Sequence, residues 1–259
     1  MGELLTGTCG YSYDDWKGPF YPDTISKNEY LHYYSMFFRF VELDFSYYAM
    51  PTARGLASIA ERTPSDFRVA LKAHKSLTHE RLGDEELPSA IRAFSDALAP
   101  LESSGKLAAV LLQFPYSFHR TEENRLRLAK LCDELARLPL AVEFRNADWG
   151  APKIAAELER RNIAPVLVDL PELPGLPPAA EPGRSTLAYV RFHGRNAETW
   201  WNGDSASRYD YRYSEGELRL WVPKLRDAMA KSDRVIAAFN NHRRGQAVEN
   251  AKMLADLFK

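Results

Sequence analysis

Short runs of β-forming, mostly apolar residues alternate with amphipathic stretches from one end of the chain to the other. Eight runs read as strands: Leu4–Thr8, Arg39–Phe45, Phe67–Ala73, Leu107–Phe114, Leu140–Phe144, Ala164–Leu170, Leu187–His193 and Arg234–Asn240. Between them, helical spacing of apolar positions predicts helices near Glu29–Arg39, Thr52–Arg62, Pro88–Leu101, Glu122–Leu135, Pro152–Arg161, Glu215–Lys231 and Gln246–Leu257. Thr121 ahead of Glu122 and Glu123, and Ser214 with Glu217, supply helix-start signals. The stretch 171–185 carries prolines at 171, 174, 177, 178 and 182, which rules out a regular helix ahead of strand seven.

Several strand runs, such as Ala108–Leu112 and Val235–Ala238, are continuously apolar, as suits strands covered on both faces. Eight such runs alternating with helices over 259 residues predict an α/β fold, a single-domain (β/α)8 TIM-type barrel spanning 1–259. After strand seven comes an aromatic connection of ~20 residues, the length range of functional lids. A doubly wound open sheet is the structural rival. It needs a Gly-rich nucleotide turn after an early strand, and the chain has no GxGxxG.

The net charge of -1, from 34 basic and 35 acidic residues, gives no global attraction to nucleic acid or an anionic membrane. Only a local patch is left for such a role. No apolar run approaches the ~18 residues that a membrane span needs. The opening Met1–Thr8 lacks the basic start and apolar core of a secretory leader. Cys9 and Cys132 form no CxxC pair, which argues against structural zinc or a redox dithiol. A reducing cytoplasm is the expected location, and oligomeric state stays open.

Polar residues gather at the C-terminal ends of the predicted strands. They are Glu42 and Asp44 on strand two, Lys72 and His74 on three, Gln113 on four, and Glu143 and Arg145 on five. Asp169 ends strand six, Arg191 and His193 end strand seven, and Asn240 and Asn241 end strand eight. Four of these strands space the pair i, i+2, which puts both members on one face. A barrel gathers inward-facing residues at its C-terminal rim, where barrel active sites lie. The bland alternative is an internal salt-bridge layer, with Glu42, Asp44, Glu143 and Asp169 set against Lys72, Arg145 and Arg191.

Segments spread along the chain carry a family resemblance. They are Gly7–Pro22, Val41-Glu-Leu-Asp-Phe-Ser-Tyr-Tyr48, Leu71-Lys-Ala-His74 with Leu77-Thr-His79, and Gln113-Phe-Pro115. They continue with Val142-Glu-Phe-Arg-Asn-Ala-Asp-Trp149, Val190-Arg-Phe-His-Gly-Arg195, Tyr209–Ser214 and Phe239-Asn-Asn-His242. Together they resemble the YecE-like family, domain of unknown function family 72, over nearly the whole chain. The resemblance implies a TIM-type barrel and names no reaction. One position departs from it: Cys9 stands where the family often has Ser, which weakens any role for a hydroxyl there.

Arg145, Arg191 and Lys72 would hold an anion, since guanidinium forks match phosphate and carboxylate oxygens. The turn Asn240–Gln246, with Gly245 and a following helix N-terminus, is a second anion-site candidate. Glu143 and His193 are the proton-transfer candidates, and Asp44 and Asp169 would orient the cations. Asp44 with Glu143 would also satisfy the carboxylate pair of a glycosidase. His74, beside Lys72, is expected neutral. Gln113 and Asn240 would hydrogen-bond the substrate, and Tyr11, Trp16 and Tyr211 would line an aromatic rim.

No nucleotide-cofactor motif is present. A divalent metal, if used, would draw on Glu42, Glu143, Asp169 and His193. The expectation is therefore an enzyme, a hydrolase, lyase or isomerase acting on a small phosphorylated or otherwise anionic, sugar- or nucleotide-like substrate. A binding module for a ligand or nucleic-acid end, and a metal-dependent isomerase- or endonuclease-like barrel, are the alternatives.

Overall fold

The computed structural model describes residues 1–83, 85–178 and 180–259, with Ser205 as backbone alone. Eight parallel strands close on themselves in sequential order. They are β1 (Glu3–Cys9), β2 (Phe40–Leu43), β3 (Arg68–Lys72), β4 (Leu107–Gln113), β5 (Leu140–Glu143), β6 (Ala164–Asp169), β7 (Leu187–Phe192) and β8 (Arg234–Phe239). Closure comes from β1 pairing with β8, from Glu3 opposite Arg234 to Thr8 opposite Phe239. The α/β barrel read from the sequence is the fold found. No helix among the described residues is long and apolar enough to cross a membrane.

Alternation along the strands sorts side chains into two cores. The outward sets, such as Val41, Leu43, Val69, Leu71, Val110 and Leu112, pack against the helices. The inward sets form a smaller core that includes Leu5, Phe40, Ala70, Leu111, Ala141 and Tyr189. Small residues at the positions facing bulky ones let the interior fill without a pore. Two residues further along four of the strands, the inward positions turn charged. Phe40 is followed by Glu42, Ala70 by Lys72, Ala141 by Glu143, and Tyr189 by Arg191. The charges thus rest on a closed apolar floor.

The helices differ from expectation where proline intervenes. The stretch predicted as Glu215–Lys231 divides into Glu215–Arg219 and Val222–Lys231, with Pro223 in the first turn of the second piece. Proline tolerates that position because its missing N–H has no intrahelical partner there. Pro100 divides Glu86–Ala97 from Ala99–Ser103 in the same way. Thr121 caps Glu122–Glu134 by accepting from the Asn124 amide, and Ser214 and Glu217 form the reciprocal box. The Pro-rich stretch ahead of β7 holds no helix or strand among its described residues. Residues 193–214, after β7, hold only the short helix Ser205–Arg208.

Candidate functional site

Arg191 is the centre of the barrel mouth. It is 2% exposed, so its charge persists only if the surrounding groups replace water. They do so from both sides. One terminal nitrogen donates to Glu143 Oε2 at 2.6 Å, and the other to Glu42 Oε1 at 2.6 Å, with Cys9 Sγ at 3.5 Å. Glu42 also accepts from the Tyr189 hydroxyl, and Glu143 from Arg145 Nε. Four charged groups from three strands therefore form one buried chain, Glu42–Arg191–Glu143–Arg145. This much is the salt-bridge layer that the sequence offered as the bland alternative.

The chain fixes protonation states. Burial alone would raise the Glu143 carboxyl, but Arg145, Arg191 and His193 outweigh it and hold it well below the usual carboxylate range. Glu143 is thereby held in its anionic form at neutral pH. His193 is fully buried, and Nδ1 faces Asn240 Nδ2 at 3.1 Å and an Arg145 nitrogen at 3.4 Å. Arginine only donates, so Nδ1 must accept and the imidazole is neutral, with its proton on Nε2. Burial and Arg145 together pull the ring down to about 3. Nε2 lies 3.2 Å from Glu143 Oε1 without the alignment of a hydrogen bond.

Two charged groups at the mouth stand outside this chain. The Lys72 ammonium sits 4.3 Å above the Tyr47 ring, with no carboxylate within ion-pair distance among the described residues. Asp44 keeps 26% of its side chain open, and its Oδ1 has no hydrogen-bond partner, lying 4.0 Å from Arg191. Burial and the neighbouring Glu42 push its carboxyl up to about 7. Among the described carboxyls at the mouth, Asp44 is the one raised toward neutrality.

Other predicted site residues stand apart. Asp169 ends β6 on the opposite face, because Ala164 and Val166 are the inward positions of that strand. There it accepts from Arg195 twice, at 2.8 and 2.6 Å, from the Tyr213 hydroxyl at 2.8 Å and from Trp221 Nε1 at 2.7 Å. Four donors saturate it, and they tie both ends of the 194–213 segment to the barrel. Asp169→Ala is expected to cost about 2–3 kcal/mol in urea unfolding, since Arg195, Tyr213 and Trp221 lose their shared acceptor. A cost within error would show that these bonds are replaced by water.

His74 caps the turn Lys75–Thr78, its Nδ1 accepting from the Ser76 amide. Gln113 faces inward beside Glu143 and donates to the Phe114 carbonyl. Trp16 is a core residue, fully buried and bonded through Nε1 to the His242 carbonyl. Tyr11 packs on Tyr34, and Tyr211 bonds Glu217. The turn after β8 is filled from within: Asp15 accepts the Arg244 amide, and Asp210 pairs with Arg243. That turn does not open as a second anion site.

The metal set does not converge, because Asp169 points away from Glu42, Glu143 and His193. Cys9, Glu42 and Asp44 do bring ligand atoms within 4.8 Å of one another. Arg191 already bonds Glu42 and touches Cys9 there, and burial with Glu42 keeps the Cys9 thiol protonated. A guanidinium beside a protonated thiol is a poor cation site.

Three further aromatic side chains, from the predicted rim after strand two and the aromatic connection after strand seven, line the mouth. Tyr47 lies under Lys72 and packs edge-on against His79, which burial, Lys72 and Arg145 pull down to about 4. Trp200 is buried with Arg145 5.9 Å over its ring. Tyr209 packs against His193, Trp200 and His242, at centroid distances of 5.9, 6.1 and 6.0 Å. His79 and Tyr209 lie within segments that carried the family resemblance, but in loops, where no periodicity shows direction.

A closed parallel barrel with a buried charged chain at its C-terminal mouth defines an α/β-barrel protein built around an enclosed polar site. The comparisons with known proteins give it its family. Residues 5–259 match the family described as "Protein of unknown function DUF72", and the chain belongs to that family. It is similar to the UPF0759 protein YunF of Bacillus subtilis (strain 168), 31% identical over 251 residues, covering 92% of this chain and 89% of that one. Its fold is similar to the crystal structure of a DUF72 family protein from Thermotoga maritima MSB8. That match has 36% identity and a TM-score of 0.90, and covers 98% of each chain. A DUF72 family protein from Enterococcus faecalis V583 is similar at 28% identity and TM-score 0.86, with 98% of this chain and 95% of that one covered.

Proposed function

We propose that the barrel mouth binds a small anionic substrate and performs acid–base or hydrolytic chemistry on it. The observation that carries this reading is Lys72, a cation at the mouth with no carboxylate partner among the described residues. The two arginines of the site are paired: Arg191 with Glu42 and Glu143, and Arg145 with Glu143. Three cationic side chains face two firmly ionised carboxylates, and the third carboxyl, Asp44, is held near half-protonation. The local balance therefore leaves room for one negative charge from outside. A phosphate or carboxylate beside Lys72 and Arg145 fills it with charge-assisted bonds. The rings of Tyr47, Trp200 and Tyr209 give a sugar- or nucleotide-like body something to pack against. Asp44 carries the proton, Arg191 and Glu143 hold the geometry, and His193 with Asn240 fixes the Arg145 side.

Calorimetric titration with sulfate at low ionic strength tests the reading. Lys72→Met is expected to weaken binding about tenfold, the worth of one charge-assisted hydrogen bond at the low end of its range. Equal affinity in the two proteins would overturn the site assignment. Turnover on a panel of phosphoesters, sugar phosphates and glycosides separates the enzyme from a binding module, which would saturate without forming product.

A further inference from the structure

Tyr209, in the 193–214 segment, packs among aromatic rings at the barrel mouth. Its ring is held on three sides, by His193, Trp200 and His242, so its orientation is fixed by packing. Its hydroxyl has no hydrogen-bond partner among the described residues, whereas the hydroxyls of Tyr211 and Tyr213 bond Glu217 and Asp169. The hydroxyl is open to solvent at the mouth, so a half-buried phenol held in place by its ring can present it to a molecule bound there.

The charged and titratable groups around it come from the ends of five of the eight strands and from its own loop. Lys72 is on β3, Arg145 follows β5, Arg191 is on β7, and Arg208 is its own neighbour. Tyr48 follows β2, His193 follows β7, and His242 follows β8. The cations dominate this set. Burial alone would raise the phenol, but Arg145, Arg191, Lys72 and Arg208 outweigh it and hold it below its usual value.

Resting on the anion reading above, we propose that Tyr209 is a catalytic residue that donates its phenolic proton to an oxygen of the anionic substrate held by Lys72 and Arg145. In that transfer the phenol O–H breaks, and the substrate oxygen takes the proton. The electron pair stays on the phenolate, facing the cations. The proton returns from solvent after product leaves. Asp44, reaching the same mouth from β2, is the second proton carrier, so the site handles two protons on two separate elements. The substrate class narrows accordingly to anionic compounds whose reacting oxygen lies next to the phosphate or carboxylate.

Ultraviolet difference titration at the phenolate band tests this on the whole protein, alone and with saturating sulfate. One phenol is expected to titrate ahead of the others, to vanish in Tyr209→Phe, and to move up by about one pH unit when sulfate neutralises the cations. Tyr209→Phe should keep the wild-type melting temperature, because the hydroxyl it removes has no partner in the fold. Sulfate that binds without moving this phenol, or an early phenol that survives in Tyr209→Phe, overturns the inference and leaves the anion reading standing. Sulfate that fails to bind wild-type protein overturns both.

Discussion

Arg191→Met is expected to destabilise the fold by about 3–5 kcal/mol, because it strands two buried carboxylates that share one cation. Glu42 and Glu143 are both fully buried and lie on strands separated around the barrel, so no local movement returns either to water. Arg145 still covers Glu143, but Glu42 loses its cation and is left with the Tyr189 hydroxyl and the neighbouring Asp44. For a chain of this length the loss corresponds to a drop of roughly 10 °C in melting temperature. Its pH dependence has a definite sign. Glu143 and Glu42 are held below their ordinary values in the native protein. The stability they contribute is therefore present above the unfolded carboxylate value of about 4.3 and lost as pH falls through the depressed native values. Removing Arg191 takes that contribution away, so the gap between wild type and variant is widest above about pH 5 and narrows in acid. Arg191→Lys keeps the charge but cannot offer two parallel nitrogens to two strands, so it should fall between them. Chemical unfolding at pH 7 and pH 4 measures all three. A wild-type melting temperature in Arg191→Met would sink the account of a buried ion chain.

The alternation of side chains makes much of this site legible in the sequence. Residues two apart on a strand share a face, so the strand pattern alone groups Glu42 with Asp44, Glu143 with Arg145, and Arg191 with His193. The inward apolar positions then require these pairs to meet at one end of the barrel. Asp169 shows where the same reasoning fails. It is the one polar residue of its strand, so nothing in β6 says whether odd or even positions face inward, and the odd ones face the helices. Loop residues carry no periodicity at all. Trp200 and Tyr209 therefore show only as members of an aromatic connection after strand seven, and His79 only as part of a resembling segment, while Trp16 and Tyr211 look equally eligible. Roles are less legible than places. Whether Glu143 or Asp44 carries a proton depends on which carboxylate the cations touch, and that is set by three strands at once.

Asp44→Asn is expected to lower turnover about 10²- to 10⁴-fold on any substrate the site converts, because an amide cannot carry a proton. The same variant has a signature that needs no substrate. In the wild-type protein, lowering the pH through about 7 neutralises Asp44 and removes a negative charge beside Lys72 and Arg191. Sulfate affinity should then rise about tenfold, the ~1.4 kcal/mol of one like charge at partly solvated range. Sulfate is the right probe because it stays fully ionised across this window, whereas phosphate would add its own titration. The histidines nearby do not interfere, since His193 and His79 are pulled down to about 3 and about 4. The neutral amide of Asp44→Asn should hold the affinity at its low-pH level throughout. Stability should follow with the opposite dependence from the Arg191 case. A carboxyl raised in the native state contributes stability that is full below the unfolded value of about 3.9 and is lost as pH rises through about 7. Asp44→Asn should therefore flatten the decline in melting temperature between pH 4 and pH 7. A wild-type sulfate affinity that does not change from pH 6 to pH 8, or one that changes equally in Asp44→Asn, would remove Asp44 from the role of proton carrier.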